Sequence, residues 1–249
     1  MSAVPALSVS GLGKTFGGLK AVDDVAMAMK VGERRAIIGP NGAGKTTLFN
    51  MIAGELPPTR GSISLFGRDV TRMPTHRRAA LGLGRTFQIN TLFPNLSVLE
   101  NMLLAVHGVS STKLRLHRAI SSYRALRDRA LRVLDSVGLA GNERVSARTL
   151  SHGEQRQLEV ALALASEPKI LLLDEPTAGL SAAESNRLTS LLRRLERSIT
   201  LLVIEHDMDV VFGLTDRITV LHYGKVVADG TSDEVRANPL VAEIYLGTS

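Results

Sequence analysis

A glycine-rich segment, GPNGAGKT at residues 39–46, constrains the fold of this chain more than any other feature of its sequence. It follows RRAIIG, the first apolar run with strand character, and it precedes a helical pattern that ends at Gly54. A strand, a glycine-rich loop and a helix in this order form a cradle whose backbone N–H groups face an anion. The full spacing G-x-x-x-x-G-K-[ST] therefore predicts a phosphate-binding loop and a nucleoside triphosphate as ligand.

Each residue type in this loop has a chemical reason. Gly39, Gly42 and Gly44 let the backbone curl around phosphate oxygens. Lys45 brings a positive charge to the β- and γ-phosphates, and the Thr46 hydroxyl is a ligand for Mg²⁺. The alternative, a glycine-rich turn with an incidental lysine, leaves the complete spacing between a strand and a helix unexplained.

Two further strand ends carry candidate catalytic residues. ILLLDEP, residues 170–176, is a near-continuous apolar run, as in strands covered on both faces. Asp174 at its end can hold a Mg²⁺-bound water, and Glu175 can polarise the attacking water. His206 ends the run ITLLVIEHD at the edge where α/β proteins bind ligands, which favours a γ-phosphate contact over a structural histidine.

The chain reads as an α/β core interrupted by a helical region. Strands are predicted at residues 34–39, 61–67, 83–88, 169–176, 199–207 and 217–231, the last being two short strands around Tyr223. The helical pattern runs from Ser97 to about Ala165, with further helices at about 181–197 and from about Ser232. Strands that alternate with helices predict a parallel sheet with crossover connections. One predicted helix of this region has a basic face and, opposite to it, an apolar stripe. The stripe consists of Leu116, Ile120, Tyr123, Leu126, Ala130, Val133, Leu134 and Val137.

LSHGEQRQLEVALALA, residues 150–165, begins a predicted helix with Ser151 and Glu154 at the spacing of a capping box. The same spacing recurs at Ser97 with Glu100, Ser181 with Glu184 and Thr231 with Glu234. Capping does not explain Gly153 in the first turn, where glycine costs about 1 kcal/mol relative to alanine. An exposed helix N-terminus beside a serine hydroxyl is also suited to an anion.

Composition narrows the class of protein. The chain has 249 residues and no cysteine, which excludes disulfides and thiolate metal sites and suits a reducing compartment. No apolar run approaches the ~18 residues that span a bilayer, and the N-terminus lacks the pattern of a signal peptide. The net charge is +6, but the basic residues are scattered apart from a patch between Lys113 and Arg132, which disfavours nucleic acid as a partner. We expect a cytoplasmic protein whose membrane role, if any, depends on a partner.

The ordered set GPNGAGKTT, Gln88, LSHGEQRQLEVALALA, LLLDEPTAGLS and IEHD resembles the nucleotide-binding subunit of an ATP-binding cassette (ABC) transporter, over essentially the whole chain. The resemblance implies an α/β fold with a P-loop NTPase core, a β-subdomain and an inserted helical subdomain. One ABC domain would span residues 1–249. Its core and β-subdomain would occupy residues 1–88 and 166–249, and its helical subdomain residues 89–165.

In that family two subunits pair head to tail and enclose two ATP molecules. The resemblance implies that Ser151, Gly153 and Glu154 belong to the site of a second ATP-binding subunit, identical or different, where the serine and the glycine N–H contact the γ-phosphate. It also implies adenine stacking by Phe16, against the alternative of a core phenylalanine. Gln88 would contact Mg²⁺, the attacking water and a membrane partner, although without the family match it reads as an ordinary polar strand end.

The implied site residues fall into three sets. The ATP-binding set in the loop is Gly39, Pro40, Asn41, Gly42, Ala43, Gly44, Lys45, Thr46 and Thr47, the last touching the α-phosphate. The catalytic set is Glu175, His206, Gln88 and Lys45, and the metal ligands are Thr46, Gln88 and Asp174.

Three positions depart from the family pattern. In the signature, His152 stands where the third position is usually glycine, and Glu154 stands where the fifth position is usually glutamine. Ser181 stands where an aspartate often follows Gly-Leu, which leaves the contact of that aspartate with the other subunit open. The serine and the phosphate-facing glycine are retained, so we expect nucleotide binding to be retained.

Residues 84–102, GRTFQINTLFPNLSVLENM, are similar to branched-chain amino acid importers, as are FGGLKAVDDV and NPLVAEIYLG. The implied function is an ATPase that powers import of such amino acids or related amides, with transmembrane permease subunits and, indirectly, a solute-binding protein as partners. It would lie peripherally on the inner face of the cell membrane. The alternatives are a lipopolysaccharide-type exporter ATPase, a soluble ABC ATPase in translation or DNA repair, and non-catalytic nucleotide binding. The Arg-Thr-Phe-Gln context argues against the exporter, and the single cassette argues against the soluble ATPase. The complete catalytic set argues against non-catalytic binding.

Overall fold

The structure is a computed structural model that describes residues 4–86, 92–109 and 124–246. Its contacts define two compact units, the first formed by residues 1–83, 169–175 and 196–249 and the second by residues 84–168 and 176–195. The strands are β1 (Leu7–Phe16), β2 (Leu19–Met29), β3 (Arg34–Ile38), β4 (Arg60–Leu65), β5 (Arg68–Asp69), β6 (Leu83–Arg85), β7 (Ile170–Asp174), β8 (Thr200–Ile204), β9 (Arg217–His222) and β10 (Lys225–Gly230). The helices are α1 (Lys45–Ala53), α2 (Thr75–Ala80), α3 (Val98–Val109), α4 (Arg124–Ser136), α5 (His152–Leu164), α6 (Ala182–Arg194), α7 (Met208–Leu214), α8 (Ser232–Arg236) and α9 (Pro239–Leu246).

A mainly parallel sheet forms the centre of the first unit. Five of its strands lie side by side in the order β10-β9-β3-β8-β7. Here β3 is parallel to β8 and β9, β7 is parallel to β8, and β10 is antiparallel to β9. Every residue of β3, β7 and β8 is buried, as the continuous apolar runs predict. Because the carboxyl ends of parallel strands share one edge of the sheet, the segments after β3, β7 and β8 meet there. The predicted α/β core is confirmed.

A second sheet of the first unit is antiparallel, in the order β2-β1-β4-β5. The sequence prediction that the first strand lies at residues 34–39 is wrong, because β1 and β2 precede it. In β1, irregular pairing around Gly11 and Gly13 breaks the alternation that marks a strand. In β2, Val25, Met27 and Met29 are buried while the intervening alanines are exposed, so the apolar alanines hide the alternation.

The strand predicted at residues 83–88 is shorter in the structure. β6 ends at Arg85, and Thr86 lies outside it. Residues 87 and 88 lie outside the described part of the chain.

Helix α1 follows the glycine-rich loop and packs into the main core of the first unit through Leu48, Phe49 and Ile52. Its C-terminus is held by Arg78, a residue that is only 1% exposed. The Arg78 guanidinium donates to the carbonyl oxygens of Met51 and Ile52, both at 2.7 Å, and also to those of Met73 and Thr71. Burial lowers the pKa of this guanidinium. The fork of donors on Arg78 thus adds hydrogen bonds at the last turn of α1, where the Met51 carbonyl also accepts from the Gly54 N–H.

We predict that Arg78→Ala lowers the free energy of unfolding by about 3 kcal/mol, because it leaves several carbonyl oxygens buried without donors and opens a cavity. Arg77→Ala is the matched control, since Arg77 is exposed and lies on the same helix. Urea unfolding of the two variants measures the difference. Equal midpoints for the two would contradict this role of Arg78.

The second unit is helical. Helices α3, α4 and α5 pack against one another, and α6 packs against α5. Along α4, Ala130 and Leu134 are buried, as is Val137 just beyond it, whereas the other described members of the predicted apolar stripe, Leu126 and Val133, are half-buried. Its members Leu116, Ile120 and Tyr123 lie outside the described residues.

The four predicted capping boxes are confirmed. In each box the serine or threonine hydroxyl accepts from the backbone N–H three residues later, and the glutamate carboxylate accepts from the N–H of the cap residue. The pairs are Ser97 with Glu100, Ser151 with Glu154, Ser181 with Glu184 and Thr231 with Glu234.

Candidate functional site

The glycine-rich loop between β3 and α1 has the backbone of an anion cradle. Gly39 has φ 150° and Gly44 has φ 100°. A Cβ atom would lie 2.1 Å from the Leu221 carbonyl oxygen at Gly39 and 2.3 Å from that of Ala21 at Gly44. Other residues are therefore excluded at both positions by sterics as well as by φ. Gly44 is also the N-cap of α1, and the first turn of that helix contains no acidic residue, so nothing there opposes an incoming anion.

Lys45 folds back over this loop. Its Nζ donates to the carbonyl oxygens of Gly39 at 2.6 Å and Pro40 at 3.0 Å, and the residue is 8% exposed. Burial lowers the pKa of Lys45, while the nearby carboxylates of Glu175 and Asp174 act in the opposite direction. The buried ammonium is thus held at the loop. Asp174, at the end of β7, and Glu175, just after it, are close enough to affect the pKa of this ammonium.

Glu175 and His206 meet at the edge of the sheet. The Glu175 carboxylate Oε1 lies 3.9 Å from His206 Nδ1, and both side chains are partly exposed. Glu175 has φ 46°, a left-handed conformation that is rare for a residue with a side chain, and its N–H donates to the Ile204 carbonyl oxygen at 2.9 Å. Such strain is typical of functional sites. Asp174, which is 5% exposed, precedes it at the buried end of β7.

An open cavity of about 560 Å³ extends from the phosphate loop. Its lining includes Thr46, Thr47 and Glu175, together with the exposed rings of Phe16 and Tyr223. The predicted stacking residue Phe16 therefore lines the same cavity as the loop. The Lys14 ammonium lies 5.1 Å from the centre of the Phe16 ring.

Sequence reasoning did not identify Tyr223 as a site residue. It has φ 46°, is 79% exposed and lies in the β9–β10 turn, where the next residue, Gly224, donates to the Ala43 carbonyl oxygen at 3.0 Å. The signal available in the sequence is the pair Tyr223-Gly224 between two short strand runs. The position of the ring beside the phosphate loop, however, depends on this long-range hydrogen bond.

The predicted signature residues lie at the start of α5, in the second unit. The Ser151 hydroxyl accepts from the Glu154 N–H at 3.3 Å, and the Glu154 carboxylate accepts from the Ser151 N–H at 2.8 Å. The backbone hydrogen bond from Ser151 is the main reason why the pKa of Glu154 is lowered. The Gly153 N–H donates to Glu184 Oε1 at 3.2 Å, a contact that the sequence did not predict.

Metal ligands are few in the described residues, which contain no group of three His, Asp or Glu side chains able to hold an ion. Thr46 and Asp174 offer one hydroxyl and one carboxylate, which suits Mg²⁺ because this ion takes few protein ligands and completes its shell with phosphates and water. The third predicted ligand, Gln88, lies outside the described residues. No helix in the described part of the chain is both long and apolar enough to cross a membrane.

Comparison with known proteins agrees with this geometry. Residues 22–178 match the model of the ABC transporter family, and residues 225–249 match that of the branched-chain amino acid ATP-binding cassette transporter. The chain is 41% identical to the high-affinity branched-chain amino acid transport ATP-binding protein LivG of Salmonella typhimurium, over 98% of each.

Solved structures agree as well. The ADP conformation of MJ1267, an ATP-binding cassette of an ABC transporter, is 31% identical with a TM-score of 0.87, and covers 98% of this chain and 99% of its own. The dimeric post-hydrolysis structure of the cassette MJ0796 bound to ADP and Pi is 28% identical with a TM-score of 0.76, covering 90% of this chain and 98% of its own.

The chain belongs to the ABC transporter family of ATP-binding proteins, in the branched-chain amino acid type. This membership confirms the predicted class, an ATPase subunit that powers a membrane transporter, and it favours an importer over the exporter and soluble alternatives.

Proposed function

We propose that this chain binds ATP with Mg²⁺ in the cavity beside the phosphate loop and hydrolyses it to drive uptake of branched-chain or related amino acids. The observation that carries the proposal is the convergence of Lys45, Glu175 and His206 at one edge of the sheet. The proposed cargo rests on the names of relatives such as LivG and on the match of residues 225–249 to the branched-chain amino acid ATP-binding cassette transporter.

The residues have distinct tasks in this reaction. The loop N–H groups and Lys45 bind the phosphates, and Thr46 and Asp174 would hold Mg²⁺, which neutralises charge on the phosphates. Glu175, next to Asp174 but more exposed, accepts a proton from the attacking water. His206, whose Nδ1 lies 3.9 Å from Glu175 Oε1, would contact the γ-phosphate beside this carboxylate.

A second ATP-binding subunit, identical or different, completes the site. Ser151 and the Gly153 N–H start a helix of thirteen residues whose N-terminus is suited to an anion, yet the phosphate loop of the same chain belongs to the other compact unit. The dimeric structure of the cassette MJ0796 bound to ADP and Pi, which has a similar fold, supports pairing of two ATP-binding subunits. Glu154 holds Ser151 at the start of α5, because its carboxylate accepts from the Ser151 N–H.

The proposed partners are transmembrane permease subunits, and the proposed location is the inner face of the cell membrane. Affinity purification of the tagged chain from detergent-solubilised native membranes tests this. We expect multi-span permease subunits and an ATP-binding subunit to be retained. Recovery of ribosomes, of DNA or of no membrane protein would overturn the transport role.

Phe16 is proposed to stack on the adenine ring. We expect Phe16→Ala to weaken ATP binding about tenfold, because base–aromatic stacking contributes about 1–3 kcal/mol. Phe93→Ala is the control, since Phe93 is a comparably exposed phenylalanine outside this cavity. Calorimetric titration should show the loss with ATP and not with inorganic triphosphate. Equal losses with both ligands would rule out stacking.

A further inference from the structure

One carboxylate, that of Glu184, connects the N-termini of α5 and α6. Its Oε2 accepts from the Ser181 N–H at 3.0 Å and from the Ser181 hydroxyl at 2.7 Å, which closes the capping box of α6. Its Oε1 accepts from the Gly153 N–H at 3.2 Å. Glu184 therefore satisfies an N–H group in the first turn of α5 from the neighbouring helix.

This contact gives a structural reason for the glycine at position 153. A Cβ atom there would lie 3.0 Å from both Cγ and Oε1 of Glu184, closer than side chains normally approach. Hydrogen bonds from Ser181, and then from Gly153, lower the pKa of the Glu184 carboxyl, so the group is ionised at neutral pH. The positive form of His152 acts in the same direction. Two of the three departures from the family pattern, His152 and Ser181, thus lie beside Glu184.

The contact has a consequence for the proposed function. The Gly153 N–H is the group that is to meet the γ-phosphate of the ATP bound to the second subunit. It donates here to a carboxylate, and a phosphate at the same N–H would bring two anions together. Glu184 must therefore move away, or the phosphate binds less tightly than it otherwise would.

We propose that Glu184 occupies the Gly153 N–H as an internal anion of its own subunit and yields it to the γ-phosphate when two subunits close. Glu184 is then a positioning residue that raises the ATP concentration needed for closure. The inference rests on the proposed pairing of two ATP-binding subunits.

The variant Glu184→Gln separates this role from helix capping. Glutamine retains the capping box, since its oxygen replaces Oε2 opposite the Ser181 N–H. Its NH₂ group then faces the Gly153 N–H, and two donors do not bond. The matched control is Glu100→Gln, which makes the same change in the capping box of Ser97, where the glutamate accepts from the serine N–H at 2.7 Å.

Two measurements test the proposal. In the isolated chain, hydrogen exchange at the Gly153 amide should become faster in Glu184→Gln and remain unchanged in Glu100→Gln. In the complex purified from native membranes through the tagged chain, Glu184→Gln should lower the KM for ATP at least about threefold, with kcat not increased. A gain in apparent affinity is not what structural damage produces.

The outcomes distinguish this inference from the proposed function. A complex that hydrolyses ATP with the same KM in wild type and Glu184→Gln overturns the inference alone, as does unchanged exchange at Gly153. Failure to retain any second ATP-binding subunit, or to hydrolyse ATP, overturns the proposed function and the inference with it.

Discussion

The variant Glu175→Gln should bind ATP with nearly unchanged affinity and hydrolyse it about 1,000-fold more slowly than the wild type. Glutamine has almost the same shape as glutamate but cannot accept a proton from water, and general-base catalysis typically contributes about 10²–10⁴-fold. The backbone of Glu175 is already strained and is held by the Ile204 carbonyl oxygen, so an isosteric change leaves the geometry intact.

Single-turnover hydrolysis and equilibrium binding, measured on the same preparation, separate the two effects. Glu243→Gln, which removes the same charge from an exposed position on α9, is the control. Turnover near that of the wild type would show that Glu175 is not the base. A matched loss of ATP binding and turnover would show instead that it binds nucleotide.

We expect Lys45→Ala to weaken ATP binding about 10- to 100-fold, because a hydrogen bond to a charged group contributes about 1.5–3 kcal/mol. The buried position of Lys45 increases the effect, since water cannot replace its charge well. Thermal unfolding without nucleotide is the accompanying measurement, because the substitution also removes the Lys45 hydrogen bonds to the Gly39 and Pro40 carbonyl oxygens. Lys30→Ala removes an exposed lysine of the same unit as control. Equal ATP affinity in Lys45→Ala and wild type would contradict the phosphate-cradle interpretation.

Local chemistry explains which parts of the molecule could be predicted from sequence. The loop at residues 39–46, the acids Asp174 and Glu175 and the capping boxes are each specified by residues a few positions apart, so their spacing is sufficient. The buried strands β7 and β8 are continuous apolar runs, which is also a local signal.

Tertiary contacts explain what could not be predicted. The turn at Tyr223 is placed beside the loop by the hydrogen bond from Gly224 to Ala43, which are far apart in sequence. The contact between Glu184 and Gly153 likewise requires α6 to pack against α5. Strand β1 was missed for a different reason, since its register shifts interrupt the alternation that would identify it.

The central claim is that two subunits together form each ATP site. Its most direct test is a structure of the complex purified from native membranes through a tagged chain carrying Glu175→Gln, with ATP and Mg²⁺ added. We expect ATP between the phosphate loop of this chain and the signature serine and glycine of a second subunit, with Ser151 and Gly153 facing the other ATP. ATP that contacts this chain alone, with Ser151 and Gly153 exposed to solvent, would contradict it.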